Sequence, residues 1–203
     1  MQLRGDRKMT ALPARRPHDA RLWTADQFLD FLRTRPNEER WQLVDGLAMM
    51  MVPPSFVHQR IVTNFEALLN AALKANRPDL FAYGNVGLRI PGVEDFHPQP
   101  DVVVCAAEAD YVYYRERFSL VAEVLSPSNT AEMIERKLEL YRSHPDNLYC
   151  LTIDQDSVHV ALYERESGWG RTDLRSLGDV LALPLFGLQA RLADLYEGTP
   201  LNR

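Results

Sequence analysis

Two stretches of the chain are apolar along nearly their whole length: residues 102–105 read VVVC and residues 120–125 read LVAEVL. Because neither has a polar face, both are typical of strands that are covered on both sides of a sheet. The second contains one carboxylate, Glu123, which the pattern places inside the core. The first follows directly on Asp101, and Pro100 suits a strand entry because it lacks the N–H that a central ladder needs. Turn formation would also explain an aspartate at this position.

A polar turn at residues 126–130 leads from the second strand into an amphipathic helix, predicted from about Thr130 to His144. Its apolar stripe is Met133, Ile134, Leu138 and Tyr141, and Lys137 falls inside that stripe. Glu123 lies roughly 10 Å from the strand end at about 3.3 Å per residue. Lys137 lies roughly 10 Å into the helix at about 1.5 Å per residue. We therefore expect the two charges at similar depth, an arrangement that a purely structural salt bridge would also explain.

The first half of the chain predicts a hairpin followed by a long helix. Residues 41–44 and 47–52 flank Asp45-Gly46, a pair that supplies the positive φ angles of a tight turn, so Asp45 is interpreted as a turn residue. The methionines at 49, 50 and 51 are interpreted as strand core. The helix runs from about Phe56 to Ala75, and His58 lies at the end of its apolar stripe. His58 is thus either a hydrogen-bonded core group or a catalytic candidate.

The remaining elements complete a mixed α/β order. A capping-box sequence at Thr24 predicts a helix from about Ala25 to Arg33. Further strands are predicted at residues 81–83, 85–90, 147–153 and 157–163, with an edge strand at 169–174 and a short helix at 194–196. Strands before and after one strand–helix crossover favour an α/β fold with a mixed central sheet flanked by helices.

Length and charge favour one globular domain over residues 23–203 of the 203-residue chain. The net charge of −5 gives no general nucleic-acid footprint. Residues 1–21, however, contain six basic and two acidic side chains, so residues 1–22 are predicted to form a flexible basic tail. Such a tail could contact a phosphate backbone or simply be solvated.

Compartment and redox state follow from two further features of the sequence. Cys105 and Cys150 lie in apolar runs without metal-site spacing, so both are predicted to be buried reduced thiols. No apolar run approaches the roughly 20 residues of a membrane span. The polar, basic N-terminal residues lack the apolar centre of a secretory signal. We expect a soluble, cytoplasmic protein with no membrane partner.

Asp101, Glu123 and Lys137 together are suited to phosphodiester hydrolysis. Carboxylate oxygens are the ligands that Mg²⁺ or Mn²⁺ prefers, and such an ion can neutralise charge that develops on phosphorus. A lysine beside them can orient or deprotonate the attacking water. The alternative is a non-catalytic binding or assembly module that retains the same groups as a buried ion network.

At these positions the sequence resembles the Uma-two family, restriction-endonuclease-like proteins of the PD-(D/E)XK nuclease superfamily. The resemblance covers roughly residues 24–163 and is carried by QPDVVV at 99–104, EVLSPSNT at 123–130, and the helix positions Glu132, Met133, Arg136, Lys137 and Tyr141. It implies a restriction-endonuclease-like fold, Asp101 and Glu123 as metal ligands, and a DNA-cleaving homodimer. The superfamily lysine normally stands two residues after the second acid, where this chain has Leu125, so Lys137 would be its relocated counterpart.

The resemblance also implies three supporting groups. His58 falls where the family has a helix-borne histidine, and Tyr141 belongs to the helix motif. Gln42 stands where the family tends to have a glutamate, just before the hairpin turn. An amide can ligate a cation only weakly because it brings no charge, so the sequence predicts a reduced metal affinity.

Overall fold

The computed structural model of the protein describes residues 22–36, 38–127 and 129–203. The predicted N-terminal tail, apart from Leu22, lies outside the described residues. The helices are α1 (Ala25–Leu32), α2 (Phe56–Asn76), α3 (Ala131–Ser143) and α4 (Leu192–Leu195). The strands are β1 (Trp41–Val44), β2 (Leu47–Met50), β3 (Leu80–Gly84), β4 (Gly87–Leu88), β5 (Val102–Ala106), β6 (Tyr114–Arg115), β7 (Leu120–Leu125), β8 (Tyr149–Asp154), β9 (Val160–Glu164), β10 (Gly170–Leu174), β11 (Val180–Leu183) and β12 (Leu188–Arg191).

A six-stranded sheet in the order β10-β9-β8-β7-β5-β3 forms the centre of the molecule. β7 and β8 are parallel and joined through α3, whereas the other neighbouring pairs are antiparallel. A parallel pair needs a crossover connection, and α3 supplies it. The predicted fold class, a mixed central sheet flanked by helices, is confirmed.

Helices cover both faces of the sheet at its centre. On one face, Ala122 and Val124 of β7 belong to the same core cluster as Phe65 of α2. On the other face, Val121 of β7 belongs to a second cluster with Leu138 of α3. Because successive side chains of a strand point to opposite faces, Glu123 faces α3. The uninterrupted apolar pattern of β7 is thus explained by burial on both sides.

The predicted local signals are also found where helices and turns begin. Thr24 caps α1 with a complete capping box, and Thr130 caps α3 by accepting a bond from the Met133 N–H. Asp45 and Gly46 both have positive φ, as the predicted tight turn requires.

Both cysteines are free and buried, and burial raises the pKa of the Cys150 thiol to about 12. In the ranges described, no helix is long and apolar enough to cross a membrane.

One core prediction is wrong. Met50 is 58% exposed, and Met49 and Met51 are only partly buried. The cause is that β1 and β2 form a separate two-stranded sheet, so the outer strand β2 is not inserted between layers. The hairpin of β11 and β12 was not predicted from the sequence, because its strands are only four residues long and flank a 3-10 turn at Pro184–Phe186.

Candidate metal-assisted catalytic site

The two candidate acids lie opposite each other at one end of the central sheet. In the antiparallel pairing of β5 with β7, Val102 is opposite Ala122 and Val103 is opposite Val121. Continuing this register by one residue places Asp101 opposite Glu123. Both residues are buried. The structure therefore brings together two carboxylates that stand 22 positions apart in the sequence.

Asp101 is held by one side chain and one main-chain group. The imidazole of His58 lies with Nε2 3.0 Å from Asp101 Oδ1, and the Val124 N–H donates to Asp101 Oδ2 over 2.7 Å. His58 is positioned by the start of α2, where its own N–H donates to Ser55 Oγ. The aspartate thus acts as more than a turn residue, because its two oxygens connect α2, β5 and β7.

Glu123 receives two donors from α3 on a single oxygen. Lys137 Nζ lies 3.0 Å from Glu123 Oε1, and the Tyr141 hydroxyl donates to the same oxygen over 2.7 Å. Lys137 is 2% exposed and Tyr141 is fully buried. The strand and helix lengths predict that the charges of Glu123 and Lys137 lie at similar depth, and their contact confirms this prediction. Since Lys137 and Tyr141 are four residues apart on α3, one helical face delivers both donors.

The charges around Glu123 act in opposing directions on its protonation. Burial raises the pKa of the Glu123 carboxyl above its usual range, the Lys137 ammonium lowers it, and the charge of Asp101 raises it further. Burial and the neighbouring Glu123 also raise the pKa of the Tyr141 phenol well above its usual value. Tyr141 is therefore a neutral hydrogen-bond donor at physiological pH.

Two buried polar atoms near these elements have no hydrogen-bond partner in the described part of the chain: Gln42 Oε1 and His58 Nδ1. Gln42 lies in β1 and is buried, but the structure shows no hydrogen bond from it to Asp101, Glu123 or Lys137. An unpaired buried acceptor costs about 1–3 kcal/mol unless something binds it. Gln42 is thus the candidate residue that the hydrogen-bond network does not incorporate.

The donor set can be tested against the divalent cation that the family resemblance implies. Each carboxylate oxygen has two acceptor positions, so Asp101 retains acceptor capacity beside His58 and the Val124 N–H. Glu123 Oε2 receives no hydrogen bond from any described residue. These hard oxygen donors fit Mg²⁺ or Mn²⁺. Across the described ranges, however, no group of three or more His, Cys, Asp or Glu side chains is placed to hold a metal, so a bound ion would have only two carboxylates.

Two contacts at or near the site were not predicted from the sequence. The Val124 N–H that fixes Asp101 is a main-chain group, for which no residue type gives a signal. Arg136 Nε donates to Asp45 Oδ1 over 2.8 Å, which ties α3 to the hairpin that carries Gln42. Arg136 is one of the helix positions that carry the family resemblance, but its partner stands 91 positions away and the contact is found only in the fold.

We expect Tyr141→Phe to lower the free energy of unfolding by about 1.5–3 kcal/mol at neutral pH, since it removes a hydrogen bond to a buried carboxylate. The ring contacts with Phe96 and Phe118 should persist. Urea denaturation measures the change. Tyr111→Phe is the matched control, because that side chain is fully exposed and should leave stability unaltered. Equal stability of Tyr141→Phe and the parent would contradict the proposed importance of the bond.

Comparison with known proteins shows the family to which the chain belongs and a solved structure with a similar fold. A family model named Uma2 and described as "Putative restriction endonuclease" matches residues 25–193. A crystal structure described as a "putative nuclease belonging to DUF820" from Anabaena variabilis superposes with a TM-score of 0.68 and 17% sequence identity, over 85% of this chain and 97% of that one. No curated protein matches the chain. The family match includes both strands and the helix of the candidate site, and the chain therefore belongs to the Uma2 family.

Proposed function

We propose that this chain is a metal-dependent endonuclease that hydrolyses phosphodiester bonds in DNA, with Asp101, Glu123 and Lys137 as its catalytic residues. The observation that carries the proposal is the buried Glu123–Lys137 pair, 3.0 Å apart, beside the opposing Asp101. A buried ion pair that served only stability would need no second carboxylate, because Asp101 raises the pKa of Glu123 and so works against the pair. Two neighbouring acids are useful where both would serve as ligands of one divalent cation.

In this proposal the carboxylates of Asp101 and Glu123 would hold a Mg²⁺ or Mn²⁺ ion. When bound, such an ion lowers the pKa of a coordinated water and neutralises charge on the phosphate. His58 and the Val124 N–H orient Asp101, and Tyr141 orients Glu123. The Lys137 ammonium has three N–H donors, of which one is directed to Glu123, so two remain to orient the attacking water. Water attacks phosphorus and releases a proton as the new P–O bond forms, one P–O ester bond breaks, and the leaving oxygen takes up a proton, so the products are a phosphate monoester and a hydroxyl group.

Two observations favour the alternative, a non-catalytic binding or assembly module. The four groups that contact the acids already satisfy both of them in part, and Gln42 supplies an amide in place of a third acid. In that case the network would be a buried ion network that needs no metal. The two functions differ in their metal affinity.

Mn²⁺ binding measured by calorimetry separates the two functions. The nuclease proposal predicts one Mn²⁺ per chain, with an affinity that is weakened by the missing third acid. Gln42→Glu should then tighten Mn²⁺ binding by about tenfold or more, which corresponds to about 1.4 kcal/mol for the added charge. Its matched control is Gln189→Glu on the exposed side of β12, which should not change the affinity. Absence of any Mn²⁺ binding by the parent would favour the module.

A further inference from the structure

A surface cleft lies where the first two turns of α2 meet the C-terminal residues Gly198 and Thr199. Its volume is about 470 Å³, which is in the range of ligand pockets. The α2 side of the cleft is lined by side chains three or four positions apart, which share one helical face: Phe56, Gln59, Arg60 and Thr63. We call this surface the α2 cleft.

Arg60 brings an uncompensated positive charge to the α2 cleft. It is exposed and forms no hydrogen bond or ion pair with any described residue. Other arginines, such as Arg142 and Arg171, bind carboxylates. The Arg60 guanidinium lies beside Gly198, with Nε 3.7 Å from the point that a Cβ would occupy there. Since no described side chain that lines the cleft is acidic, this charge is available to an anionic ligand.

Phe56 brings an aromatic ring that the protein leaves almost entirely uncovered, because the residue is 97% exposed. It stands four positions before Arg60, so the ring and the guanidinium lie on the same helical face. The next lining side chains on this face, Gln59 and Thr63, are polar. A protein partner would usually cover a contiguous apolar patch. A single ring beside a cation instead suits a nucleic-acid strand, whose bases stack on aromatic side chains while its phosphates bind arginine.

Hydrogen bonds on two sides hold the walls of the α2 cleft in place. The start of α2 is tied to the turn between β8 and β9, because Ser55 Oγ donates to Gln155 Oε1 over 2.6 Å. The C-terminal segment is tied to α2 by Asn64, whose Nδ2 donates to the carbonyls of Leu195 and Glu197 over 3.0 and 2.9 Å. A ligand would therefore find the cleft already formed.

The α2 cleft lies close to the candidate catalytic site because both use the first turns of α2. His58, which contacts Asp101 over 3.0 Å, stands two positions from Phe56 and two from Arg60. A helix with its side chains is about 10–12 Å across, so the cleft is within roughly 15 Å of Asp101. Phosphates of one DNA strand follow each other at about 3.4 Å along the duplex axis. A strand cleaved at Asp101 would thus reach the cleft within a few nucleotides.

We propose that the α2 cleft binds the DNA strand next to the cleaved bond, with a phosphate on Arg60 and an unpaired base stacked on Phe56. The choice of ligand rests on the proposed nuclease function. Because the whole chain carries a net charge of −5, a local unpaired cation is needed to hold a phosphate. Stacking on Phe56 requires a base that is single-stranded or flipped out of the duplex. The proposal therefore predicts binding to single-stranded DNA.

Fluorescence anisotropy of a labelled single-stranded DNA, titrated with the full chain without metal, tests the proposal. Phe56→Ala should weaken binding by about tenfold or more and leave its salt dependence unchanged, because it removes a base stack. Arg60→Ala should weaken binding and reduce the slope of log K against log salt by about 0.7, because one phosphate contact is lost. Arg60→Lys should keep that slope. Tyr111→Ala and Arg33→Ala are the matched controls, since both side chains are exposed outside α2 and should bind like the parent.

Circular dichroism establishes that each variant is folded before its affinity is measured. A parent that does not bind single-stranded DNA at low salt would overturn the proposal, and so would parental affinity in both variants. An effect of Arg60→Ala alone would also overturn it, because any acidic ligand, such as an acidic peptide, would use the arginine without the ring. An effect of Phe56→Ala alone would show an apolar ligand instead.

The binding test and the nuclease proposal can fail separately, because binding is measured without metal and therefore without cleavage. Binding through Phe56 and Arg60 by a chain that cleaves no DNA when Mg²⁺ or Mn²⁺ is added would contradict the nuclease proposal alone. Metal-dependent cleavage by a chain whose two variants bind DNA like the parent would contradict the role of the α2 cleft alone.

Discussion

Lys137→Ala is expected to lower the free energy of unfolding by roughly 3–5 kcal/mol at neutral pH, because it leaves Glu123 charged, buried and unpaired. The nuclease proposal adds a second expectation, a loss of DNA cleavage of about 10²–10⁴-fold, since the lysine orients the attacking water. Urea denaturation and a cleavage assay measure the two effects. Lys74→Ala is the matched control, because Lys74 is exposed in the last turn of α2.

The destabilisation by Lys137→Ala should depend on pH. Lys137 lowers the pKa of the Glu123 carboxyl, so its removal raises the folded-state pKa further above the unfolded-state value of about 4.5. The folded state then binds more protons than the unfolded state between those two values, and stability falls as pH rises through this window. Acidification towards the unfolded-state value should therefore restore much of the lost stability. If Lys137→Ala lowers the free energy of unfolding by the same amount at all pH values, an unpaired Glu123 carboxylate is not the cause of the destabilisation.

A double variant separates the loss of stability from the loss of activity. Glu123→Gln combined with Lys137→Met replaces the ion pair by uncharged groups of similar size, so it should recover most of the stability that Lys137→Ala loses. It should nevertheless remain inactive, because both a metal ligand and the water-orienting lysine are gone. If the double variant cleaves DNA like the parent, Glu123 and Lys137 have no catalytic role.

Asp101→Asn is expected to abolish Mn²⁺ binding and to reduce DNA cleavage by at least about 10²-fold, because it removes one of the two acids that we propose as ligands of the ion. The amide keeps one oxygen, so either the His58 or the Val124 N–H contact can persist, and the cost to stability should be only about 1–3 kcal/mol. Calorimetry with Mn²⁺ and the cleavage assay measure the outcome. Asp156→Asn, at an exposed position, is the control.

The stability of Asp101→Asn also separates the two proposed functions. A catalytic role predicts a folded variant that has lost metal binding together with cleavage. A purely structural role predicts a parent without metal affinity, whose variant differs only in stability. Normal cleavage by a folded Asp101→Asn protein would exclude Asp101 as a metal ligand.

Local sequence signals predicted the elements that carry the candidate site. The apolar strand around Glu123, the cap at Thr130 and the position of Lys137 in the helical stripe each follow from residues close in sequence. The contact between Lys137 and Glu123 could be predicted because strand and helix are consecutive, so their lengths determine the depth at which the charges meet. The Lys137–Glu123 contact was thus predictable because its two residues lie on consecutive elements.

The remaining contacts depend on how distant elements pack. The pairing of β5 with β7 sets Asp101 opposite Glu123, and the path of α2 brings His58 to Asp101, neither of which a local pattern encodes. The exposure of Met50 also depends on how distant elements pack. Its apolar neighbours indicate a strand, but only the sheet order shows that β2 lies outside the central sheet. The apolar residues of β2 predict a strand, but they do not predict whether the side chains of that strand are buried.

The central claim is that Asp101, Glu123 and Lys137 form a metal-dependent nuclease site, and cleavage of a labelled DNA duplex by the purified full chain tests it most directly. We predict cleavage that requires Mg²⁺ or Mn²⁺, stops when the metal is chelated, and is absent from the folded Glu123→Gln/Lys137→Met variant. Cleavage that persists without metal, or that the double variant retains, would contradict the claim.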